Sequence, residues 1–232
     1  PVTKDITLYA KWTAITYTVT FLPNYEGAAA IDPVTVRYGN KVAPAEVERE
    51  GYTFDGWYTA DGKLYNFNSE VTADLSLYAK WTAVELTVTF ELNGGALADG
   101  ESATKTVQHG GIVTAPAVAD REGYTFGGWY LGAAAYDFST PVTENITLTA
   151  KWNVKTYTVT FDVNGGTLAE GENATQTVKH GDIVTPPTVS RENYVFAGWN
   201  VQGSGAYDFA PVTGNITLVA QWNEVGGTDP QP

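Results

Sequence analysis

The sequence predicts a mainly β chain of tandem small domains, each a curved, mostly antiparallel sheet of four to five short strands with little or no helix. Two observations predict it. A cassette of about seventy residues recurs, closed by Trp12, Trp81, Trp152 and Trp222 at spacings of 69, 71 and 70 residues, and a steady period of this length marks an array of similar units. Within each cassette, apolar residues alternate with Thr at a period of two, in short runs separated by Gly, Pro and Asn.

The period divides the 232 residues into 1–12, the end of a preceding repeat; 13–82, repeat 1; 83–153, repeat 2; 154–223, repeat 3; and 224–232, a linker or tail. Because the chain opens partway through a copy, it reads as a piece of a longer protein whose export signal and anchor lie elsewhere.

Each repeat should begin with a half-buried strand, at 17–21, 86–90 and 157–161. Asn93-Gly94-Gly95 and Asn164-Gly165-Gly166 then turn the chain, since these residues tolerate positive φ. Repeat 1 has Pro23-Asn24-Tyr25-Glu26-Gly27 there, so its turn is expected to be built differently. A second strand follows at 33–38, 103–108 and 175–179, closed by Gly39, Gly110 and Gly181. Pro44, Pro116 and Pro187 interrupt any ladder beyond it, and no stripe with helical spacing occupies the stretch up to Arg49, Arg121 or Arg191.

The third strand lies in Arg121-Glu122-Gly123-Tyr124-Thr125-Phe126-Gly127-Gly128-Trp129-Tyr130, echoed at 49–58 and 191–200. Its aromatics break simple alternation and predict a bulge at Gly127-Gly128 that re-aims Trp129. The last strand, 146–152, places Ile146, Leu148, Ala150 and Trp152 on one face and Thr147, Thr149 and Lys151 on the other. Units this small bury only roughly 60% of their unfolded surface, so aromatic bulk has to supply the core. Trp12, Trp57, Trp81, Trp129, Trp152, Trp199 and Trp222 are assigned to it, with Trp57, Trp129 and Trp199 as anchors.

Composition excludes several functions. There is no Cys, hence no disulfide framework, thiolate metal site or thiol nucleophile, and a Cys-free, Thr-rich β array suits the exterior of a bacterial cell wall. Thirteen basic against twenty-six acidic residues leave a charge of −13, which disfavours nucleic acid and anionic lipid as partners. No apolar run approaches the ~20 residues of a membrane span, so direct membrane insertion is not expected.

His109 and His180 precede turn glycines, and Tyr38 holds that place in repeat 1, so they read as turn-flanking rings partly packed on the sheet, not metal ligands. No HExxH, GxSxG, P-loop or EF-hand pattern occurs. The expectation is no catalytic residue, no metal, no cofactor and no enzyme. Asn66, Asp137 and Asp208, each between two aromatics, read as outward strand residues; a sugar groove is the competing reading. Arg49, Arg121 and Arg191, each followed by Glu, suggest a repeated surface ion pair. Lys11, Lys80 and Lys151 lie on the face opposite Trp and Gln221 replaces them once, which argues against a lysine-to-asparagine crosslink. The sequon residues Asn145 and Asn215 read as turn ends, and with Asn173 they carry only a weak glycosylation signal.

Three motifs carry a family resemblance: Tyr-Thr-Val-Thr-Phe at 17–21 and 157–161, Glu-Gly-Tyr-Thr-Phe-x-Gly-Trp-Tyr at 50–58 and 122–130, and Ile-Thr-Leu-x-Ala-Lys-Trp at 6–12 and 146–152. Together they cover nearly the whole chain, which resembles the Listeria-Bacteroides repeat, the B-repeat of internalin-type surface proteins. The resemblance implies a β-grasp-like module, found in tandem in cell-wall-attached or secreted bacterial proteins. Repeat 3 departs from the pattern at Asn193, Asn200 and Gln221.

The expected function is therefore that of a non-enzymatic extracellular region of a bacterial adhesin, a semi-rigid stalk that presents a functional domain. Its partners would be adjacent repeats and domains of the same polypeptide. Only about four residues separate Trp152 from Tyr157, and three units in line would span roughly 85 Å. The alternative is that the repeats bind a cell-wall or host glycan, or a host surface protein, through exposed aromatics such as Tyr58 and Tyr130.

Overall fold

A computed structural model describes residues 1–226. The proposed tail at 224–232 lies outside them from residue 227 on. Among the described residues every regular element is a strand. The first repeat contributes β1 (Thr16–Leu22), β2 (Val34–Arg37), β3 (Tyr52–Tyr58) and β4 (Leu75–Ala83), in the sheet order β2-β1-β4-β3. The second contributes β5 (Glu85–Glu91), β6 (Thr104–Gln108), β7 (Tyr124–Leu131), β8 (Ala134–Ala135) and β9 (Ile146–Val154), ordered β6-β5-β9-β7-β8. The third holds β10 (Thr156–Asp162), β11 (Thr167–Leu168), β12 (Thr175–Lys179), β13 (Val189–Ser190), β14 (Tyr194–Val201) and β15 (Ile216–Glu224). There β12-β10-β15-β14 form the main sheet and β11-β13 a small second one.

In the first and third repeats the main sheet consists of two antiparallel pairs joined through a parallel one, and in the second, where β5 and β9 form the parallel pair, β8 adds a further antiparallel pair with β7. In the first repeat β1 pairs antiparallel with β2 and parallel with β4, and β3 pairs antiparallel with β4. The sheets are thus mostly antiparallel and β-grasp-like. A parallel neighbour requires a long crossover, and here the whole repeat between β1 and β4 supplies it.

A side-chain acceptor just before the closing strand anchors this parallel seam. Asp74 Oδ1 accepts from the Thr18 amide at 2.8 Å, Asn145 Oδ1 from Thr87 at 2.7 Å and Asn215 Oδ1 from Thr158 at 2.8 Å. That contact explains why Asn145 and Asn215 stand where they do. Their sequon character is incidental to it.

The expected bulge is present in all three copies, between Phe54 and Gly56, Phe126 and Gly128, and Phe196 and Gly198. The glycine that closes each bulge, Gly56, Gly128 or Gly198, takes φ of 132°, 108° and 124° respectively, a region costly for residues with a Cβ. The extra residue turns Trp57, Trp129 and Trp199 inward. Each then meets the first-strand phenylalanine edge to face: Phe21–Trp57 at 4.8 Å, Phe90–Trp129 at 4.9 Å and Phe161–Trp199 at 4.9 Å.

By contacts the described chain forms two compact units. The first comprises Pro1–Thr87 with Thr106–Val113 and Ser139–Asn145; the second comprises Val88–Lys105, Thr114–Phe138 and the chain from Ile146 on. The first unit is centred on Val19, Phe21, Trp57 and Leu77. It includes two segments of the second repeat, tied by Gly110 N–H to Val142 O at 2.7 Å and Val142 N–H to Gly111 O at 2.8 Å. The second unit has a core cluster around Val159, Phe161, Trp199 and Leu218 and also buries Val88, Phe90, Trp129 and Leu148.

Candidate functional site

The tryptophans fall into three groups. Trp57, Trp129 and Trp199 are buried, as expected of anchors. Trp81, Trp152 and Trp222 are half-buried, and each indole N–H donates to the carbonyl before the asparagine turn: to Pro23 O at 2.8 Å, Leu92 O at 2.8 Å and Val163 O at 3.0 Å.

Trp12 corrects the expectation of a core residue. It is 88% exposed, and residues 1–15 form no strand. The third-strand phenylalanine and the turn carbonyl that meet the other closing tryptophans have no counterpart among those residues.

The asparagine turn differs less between repeats than expected. Asn24, Asn93 and Asn164 all adopt positive φ, of 60°, 46° and 47°, and each amide donates to the last strand, to Ala79, Ala150 and Ala220 O. What changes is the next residue, where Tyr25 takes the place of Gly94 and Gly165 and meets Trp81 edge to face at 5.7 Å.

The arginines do not form the expected ion pair with the following Glu. Their guanidinium groups lie over the tyrosine three residues on: Arg49 over Tyr52 at 3.5 Å, Arg121 over Tyr124 at 4.0 Å and Arg191 over Tyr194 at 3.9 Å. Arg121 and Arg191 also donate to Asn93 O and Asn164 O. A planar guanidinium stacks on a ring while keeping its donors free, so the turn glutamate is left to solvent.

Asn66 and Asp208 accept from their own backbone two residues on, at Asn68 and Ala210, and the flanking rings pair edge to face, as Tyr65–Phe67 does at 4.9 Å. These are turn-forming residues on the rim of an aromatic pair. Burial holds the Tyr65, Tyr136 and Tyr207 phenols above their ordinary pKa, with Asp137 and Asp208 adding to the rise at the last two.

The histidines mark a site that sequence reasoning missed. One residue separates the closing strand of a repeat from the opening strand of the next: Val84 between β4 and β5, and Lys155 between β9 and β10. Val84 N–H donates to Gly51 O at 2.9 Å, and Val84 O accepts from His109 N–H at 2.8 Å; Lys155 links Gly123 and His180 in the same way, at 2.8 Å each.

The His109 ring packs over Gly51 and the His180 ring over Gly123. A Cβ on either glycine would fall 2.0 Å or 1.9 Å from the ring. The recurring Gly and His, which lie in different repeats, were the available signal.

The open face of the sheet carries the other arrangement of interest. Lys80 Nζ sits 5.0 Å from the Tyr58 ring centre, and Lys151 Nζ 4.6 Å from that of Tyr130. Both tyrosines are half-buried and both lysines exposed. The third repeat has Asn200 and Gln221 at these places.

The profile of the Listeria-Bacteroides repeat domain matches residues 17–80, 87–151 and 157–221. The chain belongs to the Listeria-Bacteroides repeat family. Similar sequences are found in longer proteins. Two from Evansella cellulosilytica, with names that class them provisionally as membrane proteins, are 38% and 35% identical over 95% of this chain, covering 35% and 26% of their own lengths. Internalin H of Listeria monocytogenes is 31% identical over 79% of this chain and 32% of that protein. The chain thus spans roughly a third or less of each. The joint residues Val84 and Lys155 fall between the matched segments, while the Gly and His that flank each joint lie within them, the Gly in the earlier copy and the His in the later.

Proposed function

We propose that these repeats form a semi-rigid, non-enzymatic stalk in a bacterial surface protein, holding another domain of the same polypeptide away from the cell. The observation that carries this reading is the joint. A flexible linker needs several residues free of contacts, whereas each junction here is a single residue. Its N–H is bonded to one repeat and its C=O to the next, with a ring packed on a glycine alongside. Bending at Val84 or Lys155 would break both bonds.

The likeness to Internalin H and to the two Evansella proteins supports a place at the bacterial surface. Stalk function in this reading is geometric, and it asks only that each unit stay folded and each joint stay closed.

Small-angle X-ray scattering on this chain tests it. A stalk gives a maximum dimension near about 85 Å, the same at low and high salt. A compact particle, or a broad distribution typical of freely swinging units, would overturn it.

A further inference from the structure

We propose that the open sheet face of the first two repeats carries a binding cleft for an acidic sugar, with the Tyr58–Lys80 and Tyr130–Lys151 pairs as its recognition elements. In the first repeat a cleft of about 390 Å³ is lined by Asn24, Tyr58, Ala60, Tyr78 and Lys80, among others. The second repeat has its counterpart, about 300 Å³, with Asn93, Tyr130, Ala133, Thr149 and Lys151. Topologically equivalent elements build both: the asparagine turn, the end of the third strand, the hairpin loop after it and the last strand. The proposal does not depend on the stalk reading.

Three features point to the ligand class. The walls combine a tyrosine and small apolar side chains with amide, hydroxyl and ammonium groups at the edge, the mixture that orients a small polar ligand in a concave site. A sugar ring presents such a surface, with apolar C–H faces and hydroxyl rims. Secondly, the ammonium groups are not neutralised. The ion pairs among the described residues are Lys63–Asp61 and Lys105–Glu101, and Lys80 and Lys151 are in neither, although the chain carries twenty-six carboxylates. A lysine kept over an aromatic ring in so acidic a protein is available to a carboxylate, sulfate or phosphate on the ligand.

Thirdly, tyrosine and lysine come and go together. The third repeat has lost both, with Asn200 and Gln221 in their places, and the Gln221 amide turns back to Val219 O at 3.2 Å. Its fold is the same without them, so folding does not require the pair. The two clefts are not equal. Beside the second, Glu91 accepts from Thr149 Oγ1 at 3.4 Å, whereas Leu22 holds that register position in the first. The first cleft should therefore bind an anion more tightly.

The test is titration calorimetry of this chain with a uronic-acid hexasaccharide, against a neutral hexasaccharide of equal length and a hexaglutamate peptide. The acidic sugar should bind at two sites of unequal affinity, weakened by salt. Tyr58→Asn with Lys80→Gln, substitutions that the third repeat shows the fold accepts, should weaken the tighter site by about tenfold or more. Adding Tyr130→Asn and Lys151→Gln should abolish the second. Binding that survives all four substitutions, equal binding of the neutral sugar, equal binding of hexaglutamate, or no binding of the acidic sugar would each overturn the proposal.

Discussion

The imidazole of His109 occupies the place into which a side chain on Gly51 would project, 2.0 Å from its Cβ position. Gly123 and His180 repeat the relationship at 1.9 Å, and both glycines adopt left-handed φ, of 72° and 75°. Asn193 holds the same left-handed conformation in the third repeat, with φ of 62°. Glycine is thus required at Gly51 and Gly123 by the neighbouring repeat, over and above what the turn itself asks.

Gly123→Ala should therefore cost more than its backbone strain alone. A left-handed residue bearing a Cβ loses about 1–2 kcal/mol, and the clash with His180 adds to this. Removing the ring in Gly123→Ala with His180→Ala should recover the added part and leave the strain, a coupling that a double-mutant cycle in urea measures directly. Additive costs would mean that the ring and the glycine do not meet in solution.

The three buried tryptophans are not equivalent. Trp57 Nε1 donates to Ala45 O at 3.0 Å, while Trp129 Nε1 and Trp199 Nε1 are buried without a partner. Truncation to Ala should cost about 3–5 kcal/mol at each. Trp57→Phe should cost about 1 kcal/mol more than Trp129→Phe, because only the former loses a hydrogen bond and the latter removes an unsatisfied donor. Equal costs by chemical denaturation would dismiss the indole bond as a source of stability.

Asn145→Ala removes the acceptor for the Thr87 amide at the start of the parallel seam and should cost about 0.5–1.5 kcal/mol. Asn145→Asp should be close to neutral, since Asp74 makes the same contact in the first repeat. Hydrogen exchange at the Thr87 amide reads this locally. It should quicken in the Ala variant and stay slow in the Asp variant.

The phenols of Tyr65, Tyr136 and Tyr207 have pKa values raised above the ordinary 10.0, by burial first and, for Tyr136 and Tyr207, by the adjacent carboxylate second. Each is more acidic in the unfolded chain than in the folded one. The stability that they contribute is fully present below about pH 10 and is lost as pH rises through the folded value. Absorbance at the phenolate band should show a group of tyrosines that titrates later than the ordinary phenol, with stability falling over the same range. Titration of every tyrosine as in a free peptide would refute the burial.

Strands, turns and bulges were legible because their causes are local. The Thr-apolar alternation of β1 and β10, the positive φ of Asn93 and Asn164, and the displaced Trp129 each follow from a few neighbouring side chains. The stacking of Arg121 on Tyr124 was legible too, since the two are three residues apart across a turn, but the adjacent Glu122 drew the reading towards an ion pair. Trp12 was misplaced because motif identity says which strand a residue belongs to, and says nothing of whether that strand has neighbours to cover it.

By itself the sequence determined the period, the mainly β character, the third-strand bulge and the family, since alternation, glycine chemistry and linked motifs act over short stretches of chain. Only the tertiary structure decided the parallel pairing of β1 with β4, the caps from Asp74, Asn145 and Asn215, the seating of His109 on Gly51 and the Tyr58–Lys80 cleft. Those contacts join residues roughly twenty to sixty positions apart. Which of many such pairs forms depends on how the chain closes its loops around a core, and no local pattern of side chains specifies that.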